Sequence, residues 1–319
     1  MKNRNIILGI LVMISILLGA TSCIKEVEFN GEETAPLPVL NCVVADGDTV
    51  VYADISKSLF FLRRGDFAVI RDAEVTLTCN GTENPMMLVN DSVYSLRHTF
   101  AAGDVVSITA TMPEFGTITS EVMTVPSKPR ILKLFYNPKE GEEFGVGVKS
   151  FTLRFINSNP ENTYYKIAVC RKITPTDYNE ENMYWDWETD GYEYISCYDS
   201  RILLSNNDFP SINEGQFLLF PAKNFHGDTI ELKIEMDNPH NYQEKLQCLE
   251  LVSVSESLYK YLSTANNYYN SRENPFTEPV QVYTNVRGGL GVFGTKSYRP
   301  RVITYDTFYQ RPDEIVIPR

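Results

Sequence analysis

The feature that most constrains this chain is a two-residue alternation of apolar and polar side chains, repeated at roughly ten-residue spacing and broken by turn residues. Ala73-Glu-Val-Thr-Leu-Thr-Cys79 alternates cleanly and stops at Asn80-Gly81, a pair suited to the left-handed backbone of a two-residue hairpin turn. Pro38–Val44 ends in the same way at Asp46-Gly47-Asp48, and Val50–Phe61, Ser92–Leu96 and Asp104–Ala110 continue the series. A helix repeats every 3.6 residues and cannot gather such a pattern on one side, whereas a half-buried strand does so by construction. Residues 38–127 are therefore expected to form an antiparallel β-sandwich.

The pattern restarts after the proline-flanked stretch Pro126–Pro129. Arg130–Tyr136, Lys149–Asn157 and Thr163–Arg171 read as strands. In Ile230–Met236 the polar residues fall on one face. Val280–Val286, Leu290–Phe293 and Arg301–Tyr305 extend the series toward the C-terminus. One helix is predicted over 254–269: Ser253 and Glu256 have the spacing of a capping box, and Leu258 and Leu262 stack one turn apart. The expected fold class is mainly β, with two β-sandwich domains (38–127 and 128–319) and the helix packed on the second.

The first residues carry an address. Lys2 and Arg4 precede an apolar run, Ile6–Ala20, which leads into Thr21-Ser22-Cys23. A basic start, a short apolar stretch and small residues before a cut are the parts of a secretory signal, and the run is too short to span a bilayer. A cysteine directly after the small residues resembles a bacterial lipobox. Residues 1–22 are then a lipoprotein signal peptide, Cys23 the acylated residue and 23–37 a tether. The expected localisation is the outer membrane, lipid-anchored, with the surface and periplasmic faces both open. The anchor makes outer-membrane lipid the first partner.

Composition narrows the remaining choices. The chain has 29 basic and 41 acidic residues, a formal net charge of −12. A nucleic-acid binder needs a basic surface to displace counterions from phosphate, so that class is excluded. With Cys23 set aside, Cys42, Cys79, Cys170, Cys197 and Cys248 remain. An odd number leaves at least one thiol free. Cys170 and Cys197 flank one insert and form the candidate disulfide, with small buried thiols as the alternative.

That insert, 174–194, is dense in acid and rings. Tyr184, Trp185, Trp187 and Tyr192 are a candidate contact surface. Asp186, Glu188 and Asp190 precede Gly191 like the first half of a calcium loop, but the twelfth position, where such a loop needs Glu, is Cys197. Metal ligation there is a weak candidate. Gly289, Gly291 and Gly294 match a nucleotide-binding glycine spacing, yet Pro300 and no helical period follow, so close backbone packing is the expected role. The three histidines, His98, His226 and His240, form no recognisable catalytic or metal motif. No cofactor is expected. Thr49, Ser92 and Thr229 each follow Asp and precede an apolar residue, giving three candidate O-glycosylation sites.

Ser255-Glu-Ser-Leu-Tyr-Lys-Tyr-Leu262, Pro275-Phe-Thr-Glu-Pro-Val280 and Val282-Tyr-Thr-Asn-Val-Arg-Gly-Gly-Leu-Gly-Val-Phe-Gly294, with the lipoprotein start, resemble the Bacteroidota domain-of-unknown-function 4249 family. The resemblance covers nearly the whole chain after Cys23. It implies an outer-membrane lipoprotein encoded beside a TonB-dependent receptor. It also implies a first domain like the carboxypeptidase-regulatory or transthyretin-like sandwiches, an Ig-like sandwich being the alternative. It supplies no catalytic residues. The function expected from sequence is a non-enzymatic accessory or substrate-capturing partner of a TonB-dependent transporter. A surface hydrolase acting on glycans or peptides, and a structural adhesin-like protein, are the alternatives.

Overall fold

In a computed structural model of the chain, the residues described are 34–60, 68–136, 148–172, 195–202, 204–205, 217–237, 246–272, 280–297 and 301–303. The chain divides into a unit of residues 1–35 and a unit of residues 36–319, and every described strand and helix belongs to the second.

Ten strands occupy its first part: β1 (Pro38–Asp46), β2 (Val50–Lys57), β3 (Ala68–Val69), β4 (Glu74–Cys79), β5 (Thr82–Pro85), β6 (Met87–Asn90), β7 (Val93–Arg97), β8 (Val105–Met112), β9 (Gly116–Ser120) and β10 (Met123–Thr124). The Asn80-Gly81 turn between β4 and β5 has φ of 50° and 81° at its two residues, as the hairpin signal requires. Eight more strands follow: β11 (Ile131–Tyr136), β12 (Val148–Ile156), β13 (Tyr164–Lys172), β14 (Ile195–Ser196), β15 (Leu204–Ser205), β16 (Phe217–Pro221), β17 (Thr229–Asp237) and β18 (Leu246–Val254). Helix α1 (Glu256–Arg272) precedes β19 (Val286–Arg287), β20 (Leu290–Ser297) and β21 (Arg301–Ile303). The architecture is mainly β, as expected. Residues 280–285, read from sequence as strand, are not: only Val286 and Arg287 pair, with Ser120 and Thr119 of β9.

The described strands form three sheets. The largest runs β15-β16-β13-β18-β20-β1-β2-β7-β6, with β21 added on β18 and β3 on β2. A second runs β19-β9-β8-β4-β5, and β10 pairs with β8 beside that path. A third runs β11-β12-β17-β14. One core joins the β1, β2 and β7 side of the large sheet to the second sheet through Leu40, Ile55, Leu77, Ile108 and Ile118. Another joins the β13, β16 and β18 side to the third sheet through Leu153, Phe155, Ile167, Phe220 and Leu232. On the opposite face of this second half, Phe217, Leu219, Val252 and Val254 pack with Leu258 and Leu262 of α1. The helix thus covers the second sandwich.

The expected break at 127/128 separates two cores but not two sheets. Strand β20 lies parallel to β1 over Val39–Asp46 and touches β18 at Val254–Lys296, so it welds the halves into one sheet. Phe293 and Val286 belong to the first core although they follow the helix in sequence. Gly289, just before β20, and Gly291 and Gly294 within it permit this seam. A Cβ on Gly289 would stand 2.6 Å from the Pro38 carbonyl oxygen, and one on Gly291 would stand 2.1 Å from that of Leu40. One on Gly294 would press Leu258 of α1 at 3.1 Å. The three-glycine spacing therefore serves close backbone approach.

The helix cap also differs from expectation. Ser253 lies inside β18, where its N–H donates to Ser297 Oγ at 3.2 Å. Ser255 is the capping residue: its Oγ accepts from Leu258 N at 3.4 Å and from Thr295 N at 3.1 Å. One hydroxyl both caps α1 and ties it to β20.

Candidate functional site

Three segments remote in sequence meet over the weld. They are β10 with the residues on either side of it (121–129), the turn that feeds β13 together with its first two residues (158–165), and the end of β18 with the first turn of α1 (253–257). Between them lies an open cleft of about 530 Å³. Each wall is fixed by hydrogen bonds. Thr295 Oγ1 donates to Thr124 O at 2.8 Å and holds β10 to β20. Thr163 Oγ1 donates to the Ser158 and Asn159 carbonyls, both at 2.9 Å, and closes the turn around left-handed Asn159. Ser257 Oγ donates to Glu121 Oε2 at 3.5 Å, joining the helix to the residues before β10.

The ionisable groups at the cleft are internally partnered. Lys128 Nζ lies 2.9 Å from Asp46 Oδ2, and Lys260 Nζ lies 2.8 Å from Glu256 Oε1. The bond from Lys260 holds the Glu256 carboxyl below the usual range. Tyr164 stacks at 4.6 Å on Tyr259, and burial together with the Glu256 charge pushes its phenol up. Tyr165, on the adjacent wall, is pushed up to about 12 by burial. At neutral pH both phenols stay protonated, Tyr164 bonded to Glu256 and Tyr165 donating to Ile156 O at 3.5 Å from within the second core. The cleft thus offers hydroxyls, amides and a tyrosine face, with charge largely satisfied from within. Such a lining suits a neutral, hydrogen-bonding ligand.

A second recess, of about 440 Å³, lies against β12 and β17, between Ser150, Glu231, Lys233, Glu235, Tyr198 and Asp199. Tyr198 is 80% exposed. Asp199 is clamped by Arg201, with Nε to Oδ1 at 2.9 Å and Nη2 to Oδ2 at 2.6 Å. That clamp lowers the Asp199 pKa, and the Arg201 guanidinium lies 4.2 Å over the Phe225 ring. Tyr198-Asp199 continues the acidic-aromatic composition of the insert a few residues beyond Tyr194, and that continuation is the signal by which sequence could have found the recess.

Cys23, Tyr184, Trp185, Trp187, Tyr192, Asp186, Glu188 and Asp190 lie outside the described residues, as does His240. Among the described residues no cluster of His, Cys, Asp or Glu is arranged to hold a metal ion, and no helix is long and apolar enough to cross a membrane. His98 stacks on Phe100 at 4.7 Å, and His226 is exposed in a turn. Thr49 is exposed in the β1–β2 turn and Thr229 half-buried at the start of β17. The Ser92 hydroxyl is committed to Asp54 Oδ2 at 2.6 Å. Of the candidate pair Cys170 and Cys197, Cys170 lies on β13 and Cys197 is buried with a free thiol. Sequence reasoning missed the cleft because its walls are a domain boundary, a turn and a helix start, none of which carries a motif.

A family model described as "Domain of unknown function (DUF4249)" matches residues 24–300. No curated protein matches the chain. Among solved structures, one titled "Complete structure of manganese lipoxygenase of Gaeumannomyces graminis and partial structure of zonadhesin of Komagataella pastoris" is similar at 10% identity over 70% of this chain and 90% of that one. Its TM-score of 0.19 is too low to carry any argument.

Proposed function

We propose, from the premise that the chain belongs to the DUF4249 family, that it is a lipid-anchored outer-membrane protein that captures a ligand for a TonB-dependent transporter without itself catalysing a reaction. The observation that carries this reading is the cleft of about 530 Å³ between the two cores, with its hydroxyls, amides and tyrosines and its internally paired charges. Such a lining binds by many weak hydrogen bonds and stacking, which suits capture and release. The address ending at Cys23 supports the location. An acyl anchor confines the protein to the membrane plane and raises its effective concentration beside an integral partner. The acidic-aromatic insert, continued by exposed Tyr198, supplies the partner contact.

Two measurements test the reading. Mild-detergent purification of the tagged, lipidated chain from native outer membrane should recover a TonB-dependent receptor in stoichiometric amount. Recovery of the chain alone would count against the partnership. Replacing Trp185 and Trp187 by Ala should weaken that recovery, whereas Asn162→Ala and Tyr164→Phe in the cleft should reduce ligand uptake and leave the receptor bound.

A further inference from the structure

Six cysteines occur in the chain, and the fold assigns three of them. Cys42 and Cys79 carry free thiols buried in the first core, and Cys197 carries one buried in the second. Burial drives all three away from the reactive thiolate form. Cys23 is the lipidation residue of the proposed address. Two cysteines are left, Cys170 and Cys248, which lie 78 positions apart in sequence. The antiparallel register of β13 and β18 sets them directly opposite each other.

Directly opposed residues of an antiparallel pair have Cα atoms about 4.5 or 5.5 Å apart, depending on their place in the hydrogen-bond ladder. Both values fall within the roughly 4.4–6.8 Å that a disulfide spans. Cys170 is two residues from the end of β13, and Cys248 is two residues past the start of β18. Strand β13 ends at Lys172, and the acidic-aromatic insert 174–194 follows in the sequence. We propose that Cys170 and Cys248 are joined by a disulfide that staples the C-terminal end of β13 to the N-terminal end of β18.

The inference rests on the exported location, because the bond needs an oxidising compartment. Its formation is a thiol–disulfide exchange. One thiolate attacks the disulfide of an exported dithiol oxidase and forms a mixed disulfide. The second thiolate attacks the first cysteine sulfur and expels the oxidase as its dithiol. Two electrons and two protons pass to the oxidase.

The test uses the full chain, extracted in detergent from native membrane, alkylated in denaturant without reduction and digested with trypsin. The expected product is peptide 167–171 linked to peptide 246–260, with Cys42, Cys79 and Cys197 alkylated. Alkylated Cys170 and Cys248, or a link from Cys170 to the peptide carrying Cys197, would overturn the proposal. The state of Cys23 in the same digest separates this from failure of the address. If Cys23 is acylated and the pair is alkylated, the disulfide is wrong and the address stands. If Cys23 is unmodified and all thiols are alkylated, the address is wrong. The purified chain is then oxidised with oxidised glutathione, and formation of any link other than Cys170–Cys248, or of none, overturns the pairing itself. A Cys170→Ser, Cys248→Ser double variant should lose the linked peptide and gain no new one.

Discussion

The two halves of the large sheet are built on different terms. In the first half one face packs on the core and the other meets solvent: Val51, Ala53 and Ile55 of β2 point inward, while Tyr52 between them is 58% exposed. In the second half both faces are covered, one by the third sheet and the other by α1. Consecutive residues Phe217–Pro221 are all buried, with Leu218 and Phe220 in one cluster and Phe217 and Leu219 in the other. A one-sided sheet writes its burial into the sequence as alternation, and a two-sided one writes a continuous apolar run. Where the halves meet, neither pattern rules, because the packing of β20 requires positions with no side chain at all.

The sharpest way to break the comparison is at that seam. Gly291 has φ of 104° and no room for a Cβ beside Leu40. Gly291→Ala should lower unfolding free energy by about 3 kcal/mol or more. Gly294→Ala, which presses the buried Leu258 of α1 from its Cβ outward at 3.1–3.3 Å but meets no backbone oxygen among its nearest atoms, should cost less, about 1–2 kcal/mol. Equal urea midpoints for the two variants would show that backbone approach at the seam does not limit stability.

Next come the faces themselves. Leu218→Ala and Leu219→Ala lie on opposite faces of β16, and each should cost about 2–5 kcal/mol. Tyr52→Ala on the open face of β2 should stay within about 0.5 kcal/mol of wild type. A neutral Leu219→Ala would mean that α1 does not cover its face in solution.

Helix capping gives a smaller effect. Ser255→Ala should cost about 1 kcal/mol through the lost cap and the lost tie to Thr295. A capping box at Ser253 predicts a comparable loss for Ser253→Ala, measured by thermal unfolding. The fold instead gives that side chain no capping role.

The smallest effect is electrostatic. The Lys260 bond lowers the Glu256 pKa in the folded state, so its contribution is present above the unfolded carboxylate pKa and fades as pH falls through the folded one. Lys260 is raised by the same bond, so its contribution is present below the unfolded lysine pKa and fades as pH rises through the folded value. Both side chains are about half exposed, with 57% for Glu256 and 46% for Lys260. Glu256→Gln should therefore cost only about 0.3–0.5 kcal/mol at pH 7, and the difference should vanish in acid.

The same contrast explains what sequence can disclose. The strands around Asn80-Gly81 and the alternating β17 are legible because local pattern decides them. Strands β16 and β18 are not, since a buried run carries no period to separate strand from helix. The capping residue is easily misplaced by two positions because Ser253 and Ser255 both offer a hydroxyl before an acidic turn, and only pairing with Ser297 and Thr295 tells them apart. Residues 280–285 look apolar enough for a strand. Instead Tyr283 N–H donates to Thr264 Oγ1 at 2.8 Å, and Asn285 exchanges two side-chain bonds with the Phe293 backbone, at 2.8 and 2.9 Å. Side chains there do what a ladder would have done. The cleft is illegible for a related reason: its geometry exists only once β20 has brought the two cores together.

The place of β20 also bears on time. A chain that emerges N-terminus first presents β1 some 250 residues before its parallel neighbour exists. Until Leu290–Ser297 arrives, the first sandwich lacks Phe293 in its core and β1 offers an unpaired edge. Contacts of such long sequence separation form slowly, because loop closure must precede their reward. An open apolar edge held for that interval is also a template for the wrong partner. The first sandwich therefore closes only once β20 has emerged, and until then it stays open to unfolding or to a chaperone.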